Sequence, residues 1–280
     1  MTNSNLPFVL VAENSVIDTI TLVLQSLAKH APFASVYLVV PDSQVNEFLA
    51  HASEDVVVVN ESIIMPGWCV DRVGRKLGVY SWRAGWYYQQ FLKLNFANFL
   101  ECESYVIWDA DTVMLQEFDF VLDGRVQMNS SVRFNKPYFD TYKRLFNQSP
   151  PVEKSLISQF MFIDTAILSE MQGAIRKNFS ASDWVDAVLD QLPLSSPSEF
   201  SEYEVYGNYM ASHYPDKFKM TRINWFLYGS EILPEVRGVD LETLESTFEG
   251  FSCVAFERHH RKGLLKKMYA YCVYYLKFGG

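Results

Sequence analysis

Residues 105–115 read YVIWDADTVML. Four large apolar residues, Tyr105 to Trp108, run into Asp109 and Asp111, which flank a single alanine before the chain turns apolar again. The run reads as a buried strand. An ionised carboxylate removed from water is costly unless it is paired or bound to a metal, so two of them at the end of such a strand require a partner. Side chains two apart on an extended chain point the same way. The pair would then be a small platform of hard oxygens, suited to Mg2+ or Mn2+ rather than to a softer ion. About one Asp-x-Asp triplet arises by chance at this composition, and the apolar frame on both sides gives this one its weight. The alternative is two loop aspartates capping neighbouring backbone.

Working outward, PFVLVAENS (7–15), SVYLVVPD (35–42) and DVVVVN (55–60) are short apolar runs closed by polar residues, as buried strands are. Residues 16–29 carry apolar positions at helical spacing. This alternation predicts an α/β fold with a mostly parallel central sheet and helices on both faces. Residues 65–85, with four glycines, read as irregular, and 86–100 as a helix. A polar segment (123–151) holds VRFNKPYF as a short strand, and LISQFMFIDTAIL (156–168) reads as another buried strand. Residues 182–192 form a helix with Ser182 as N-cap. The next helix starts after Ser201, with Glu202 and Glu204 in its first turn. In open α/β sheets ligands sit beyond the carboxyl ends of the strands, which is where Asp109 and Asp111 fall.

A chain of 280 residues that is 49% hydrophobic can bury a large core. Its net charge of -9 argues against a nucleic-acid partner. The positive charge is concentrated at one end, where Arg258, Arg261, Lys262, Lys266, Lys267 and Lys277 lie. Cys69, Cys102, Cys253 and Cys272 show no metal or disulfide spacing, which predicts a reducing, cytoplasmic setting. The first residues lack the basic region and long apolar run of a signal peptide, and no stretch is long enough for a membrane span. The tail RKGLLKKMYAYCVYYLKF fits an interfacial helix whose lysines meet anionic headgroups, peripheral on the cytoplasmic face of the inner membrane. Its alternative is a helix docked on the body.

With its flanks, YVIWDADTVML resembles the metal-binding aspartate motif of GT-A glycosyltransferases. WYYQQFLKL (86–94) resembles the segment before that motif in family-8-like bacterial sugar transferases of surface polysaccharide and lipooligosaccharide synthesis. The resemblance covers most of residues 7–215. It implies a GT-A catalytic domain over 1–255, with a nucleotide-sugar half at roughly 1–115 and an acceptor half at roughly 116–255, followed by the basic segment 256–280. It implies that Asp111 binds Mn2+ or Mg2+ most directly, that Asp109 reaches towards ribose and metal, and that Lys93 faces the donor diphosphate. Ala12, Glu13 and Asn14 close the first strand, where such enzymes hold base and ribose. Gln159 falls where a polar residue contacts the donor sugar. In HHRKGLLKK (259–267), His260, Gly263 and Lys266 match a His-x-x-Gly-x-x-Lys spacing that completes the metal shell and holds the diphosphate. The family's following Pro-Trp is replaced by Lys267-Met268, and His259 is the alternative ligand. Glu202 and Glu204 stand where the family places a catalytic or sugar-contacting acid, and Glu204 is preferred here.

The implied activity is metal-dependent transfer of a sugar from a nucleotide-sugar donor to a glycan or lipid-linked acceptor. Trp82, Trp86 and Trp108 are candidates to stack on sugars, although aromatic residues in such apolar settings usually belong to cores. A sugar nucleotidyltransferase is the first rival, but VAENSVIDT after strand one has neither the glycines nor the basic residue of its loop. The second is a catalytically inactive glycan-binding module, which would not need to keep both aspartates.

Overall fold

The computed structural model describes residues 5–131 and 134–257. Its strands in chain order are β1 (Leu6–Val11), β2 (Ala34–Val40), β3 (Val56–Asn60), β4 (Ser104–Trp108), β5 (Thr112–Met114), β6 (Val121–Leu122), β7 (Arg125–Asn129), β8 (Phe160–Asp164), β9 (Phe218–Thr221), β10 (Trp225–Phe226) and β11 (Cys253–Ala255). The main sheet has the order β3-β2-β1-β4-β8. Its first three pairings are parallel and only β4–β8 is antiparallel. The Rossmann-like α/β class expected from the alternating runs is therefore present. The chain winds one way from β1 to β3, then returns to lay β4 on the other side of β1. A ligand crevice opens at such a switch point, outside the carboxyl ends of the two strands. Here those ends are Val11 and Trp108.

The pleat divides each central strand between two cores. Phe8, Leu10, Val106 and Trp108 face one, and Val9, Tyr105 and Ile107 face the other. The helix Ile17–His30 seals the first with Ile20, Val23 and Leu27, all fully buried at helical spacing. Burying a side chain of this kind stabilises by about 1.5–3 kcal/mol. The second core is sealed by Ala84–Asn95, through Tyr87, Phe91 and Leu94. In a small sheet, β10-β11-β5, β11 pairs antiparallel with β5 and sets Ala255 opposite Thr112. That register carries the chain beyond β11 back to the aspartates.

Several local expectations are corrected. The stretch 65–85 is not irregular: Val70–Leu77 is helical despite Gly74 and ends at Gly78, whose φ of 56° suits glycine. In VRFNKPYF, Lys136 starts a helix to Phe146, because Pro137 is tolerated in a first turn and Tyr138, Tyr142 and Leu145 make a buried stripe. Strand β8 occupies only part of 156–168, since the Asp164 carboxylate accepts from Ala166 and Ile167 and starts the helix Thr165–Asn178. Asp183, not Ser182, caps Trp184–Gln191. No helix among the described residues is long and apolar enough to cross a membrane.

Candidate active site

At the switch point lies a pocket of 520 Å³ whose wall includes Ala12, Glu13, Asp109, Asp111, Gln159 and Glu257. The aspartates arrive there on a turn and not on an extended strand. β4 ends at Trp108, the Asp109 amide donates to the Gln159 carbonyl, and the Thr112 amide closes back on the Asp109 carbonyl at 3.0 Å. Sequence periodicity thus placed the pair correctly in the fold but not in backbone conformation.

Asp109 is held from beneath. Lys93, 3% exposed on Ala84–Asn95, donates to Asp109 Oδ1 at 2.5 Å and to Glu202 Oε1 at 2.8 Å. Tyr203 Oη donates to the same Asp109 oxygen at 2.9 Å. Both donors meet Oδ1, and among the described residues no hydrogen bond to Oδ2 is seen, so the carboxylate is anchored by one oxygen. Burial alone would push the Lys93 ammonium down, but Asp109 and Glu202 beside it hold it above its ordinary value. Lys93 is therefore committed to two carboxylates. It does not line the pocket wall, contrary to its expected place against a diphosphate.

Asp111 has the opposite circumstance. Burial, Glu257 and Asp109 push its carboxyl up to about 8, and Lys93 only partly offsets them. Glu61, on the same wall, is likewise raised by burial and by Asp42 and Glu13. Five acidic residues line the pocket (Glu13, Glu61, Asp109, Asp111 and Glu257), with no lysine or arginine among the described wall residues. Among the described residues no group of three or more His, Cys, Asp or Glu is gathered to hold a metal ion. The donor set nonetheless fits Mg2+ or Mn2+, which are commonly bound through one or two carboxylates, with water and substrate phosphates completing the shell.

The remaining expected residues divide. Ala12 and Glu13 line the pocket. Asn14 does not, and its amide donates to Gln44 Oε1. Gln159 is 3% exposed and fixed at both ends, accepting from Thr112 Oγ1 at 3.1 Å and donating to Glu257 at 3.3 Å. Glu202 joins the Lys93 network, where burial raises its carboxyl against the pull of Lys93. The preference for Glu204 is corrected: the helix turns it away, to accept from Ser155 Oγ at 2.6 Å and the Leu156 amide at 3.1 Å. Trp108 is a core residue stacked on Phe160, whereas Trp82 and Trp86 line the pocket. His260, Gly263 and Lys266 lie outside the described residues. Reading the residues missed Tyr203 and Glu257. Tyr203 was signalled only by adjoining Glu202, and Glu257 only by the strand pairing that brings it back, through the Phe256 amide on the Asp111 carbonyl at 2.9 Å.

The profile of a family described as a family of unknown function, DUF6492, matches residues 10–225. No curated protein sequence shows significant similarity. Among solved structures, the chain is similar to galactosyltransferase LgtC in complex with donor and acceptor sugar analogs, at 9% identity, 90% of this chain, 87% of that chain and a TM-score of 0.44. It is similar to mouse xyloside xylosyltransferase 1, at 12% identity, 90% of this chain, 97% of that chain and 0.48. A third is the glycosyltransferase GlyE of Streptococcus pneumoniae, at 11% identity, 90% of this chain, 54% of that chain and 0.47. Likeness at this level assigns no activity.

Proposed function

The chain belongs to the DUF6492 family, and from the site it carries we propose that it is a metal-dependent glycosyltransferase using a nucleotide-sugar donor. One observation carries the reading. A pocket at the switch point of a parallel sheet, where phosphorylated ligands bind in such folds, is lined by five acids and by no described basic residue. A divalent cation held by these acids would offset the charge of an entering diphosphate. Asp111 and Asp109 Oδ2 would hold that cation, and a divalent ion bound there supplies Lewis-acid neutralisation of a departing diphosphate.

The chain's own residues do the rest. Lys93 and Tyr203 fix the Asp109 carboxylate by one oxygen, and Glu202 keeps Lys93 in place. Ala12 and Glu13, at the end of β1, meet the base and ribose. Gln159, locked by Thr112 and Glu257, presents a rigid polar edge to the sugar. The acceptor is a glycan or lipid-linked saccharide of a bacterial surface polymer.

The test is a melting experiment with UDP, GDP, CMP and their sugars, with and without Mn2+. Binding to the folded state alone raises stability by about 2.7 kcal/mol at a hundredfold excess over Kd. One nucleotide is expected to raise the melting temperature only with Mn2+, and Asp111→Asn is expected to abolish the gain. Stabilisation that survives both chelation and Asp111→Asn would overturn the metal site. The absence of any stabilisation would overturn the transferase.

A further inference from the structure

Trp82 and Trp86 share the pocket wall with the aspartates, and Trp82 is 70% exposed. An indole this open beside a pocket offers a flat apolar face on which a ring can stack. Arg83, between them in sequence and just behind that wall, places its guanidinium carbon 4.1 Å from the centre of the Trp86 ring and 5.7 Å from that of Trp82. Nη2 donates to Ser198 Oγ at 3.0 Å, while Nε is buried with no hydrogen-bond partner.

No carboxylate pairs with Arg83 among the described residues, although burial disfavours its charge. The contrast with Arg72 is direct. Arg72 also lies over an indole, 3.8 Å from Trp68, but donates to Asp186 at 2.7 Å. A guanidinium carries five donors in a plane suited to carboxylate or phosphate. One that is partly desolvated and unpaired pays for burial that an incoming anion would repay.

The surroundings are held in place. Glu199, fully buried, accepts from the amides of Leu194, Ser195 and Ser196, and its own amide donates to Tyr87 Oη. Asn135 Nδ2 donates to the Ser198 carbonyl at 3.0 Å. The hydroxyl that orients Arg83 thus sits on a loop fixed at several points, and ligand binding need not order it.

We propose that Arg83, braced on Trp86, is with Trp82 the acceptor subsite for an anionic saccharide, whose ring lies on the exposed Trp82 indole and whose carboxylate or phosphate meets the guanidinium. This assignment rests on the glycosyl-transfer reading and deepens it, since it names the acceptor by its charge.

The test titrates the full chain, with Mn2+ and the stabilising nucleoside diphosphate, using three matched disaccharides: neutral, uronate-terminated and 6-phosphorylated. An acidic disaccharide is expected to bind about tenfold or more tightly than the neutral one, the scale of one charge-assisted hydrogen bond. Whichever acidic disaccharide binds identifies the anion as carboxylate or phosphate. Arg83→Gln is expected to erase that preference, Arg83→Lys to keep part of it, and the exposed Trp82→Ala to weaken all three ligands. Equal binding of neutral and acidic disaccharides, a preference that survives Arg83→Gln, or no binding of either acid while the nucleotide binds would overturn the subsite. If no nucleotide binds but the acid preference depends on Arg83, the anion site stands and the glycosyl-transfer reading falls.

Discussion

Glu202 and Glu204 lie two residues apart in the first turn of one helix, beneath the same Ser201 cap, and both are almost wholly buried. At about 100° per residue they point some 200° apart, into different kinds of surroundings. Glu202 meets the ammonium of Lys93, which in turn holds Asp109. Glu204 meets only neutral donors, the Ser155 hydroxyl, the Leu156 amide and Asn208. One buried acid is balanced by charge and the other by hydrogen bonds. A charge-balanced acid transmits its state to its neighbours, so Glu202 is part of the site's electrostatics. Glu204 instead fastens the segment ahead of β8 to the helix and is an anchor. Its burial pushes the carboxyl up to about 7, only partly relieved by Ser155 and Leu156.

The comparison breaks most severely at its cation. Lys93→Met leaves Glu202 and Asp109 facing each other in a buried space, and loss of one partner of a buried pair costs about 3–5 kcal/mol. Urea denaturation at pH 7 should show a loss of that size. The double variant Lys93→Met, Glu202→Leu should recover much of it, because an apolar pair carries no desolvation cost. Equal destabilisation of single and double variants would mean that Lys93 acts by packing and not by charge.

The next effect belongs to Glu204 and should appear as pH dependence. Its folded carboxyl lies at about 7 against the ordinary 4.5, so the folded state holds the proton more tightly than the unfolded chain does. That contribution is complete below pH 4.5 and is lost as pH rises through about 7, an order-of-magnitude cost of about 3 kcal/mol by pH 8. Glu204→Gln keeps an acceptor for Ser155 and Leu156 without the charge. Denaturation midpoints at pH 5 and pH 8 should therefore fall less in the variant than in the parent. Parallel falls would assign the pH dependence to other groups.

This division explains what could be read before the fold was known. The sheet was legible because β1 to β4 are apolar runs with polar ends, and a parallel sheet covered on both faces demands that pattern. Ser201 was legible because capping is local chemistry. The helix Lys136–Phe146 was not, because Pro137 looks like a break unless its place in the first turn is known. Choosing between Glu202 and Glu204 required knowing which face of the helix meets Ala84–Asn95, a tertiary fact absent from the first-turn pattern. Glu257 was hidden for the same reason, since only the pairing of β11 with β5 returns it to Asp111.

The smallest change tests whether the charged side of the comparison is tuned for a ligand or merely for stability. Tyr203 and Lys93 donate to the same oxygen of Asp109, so Tyr203→Phe removes one of two anchors and leaves the ion pair intact. A hydrogen bond of this kind contributes about 1 kcal/mol, and the stability loss should be no larger. If Asp109 is held by one oxygen so that the other can meet a ligand, losing an anchor lets the carboxylate rotate. Mn2+-dependent nucleotide stabilisation should then weaken several-fold while the urea midpoint barely moves. A loss of stability with undiminished Mn2+ dependence would make Tyr203 a packing residue and leave the orientation of Asp109 to Lys93 alone.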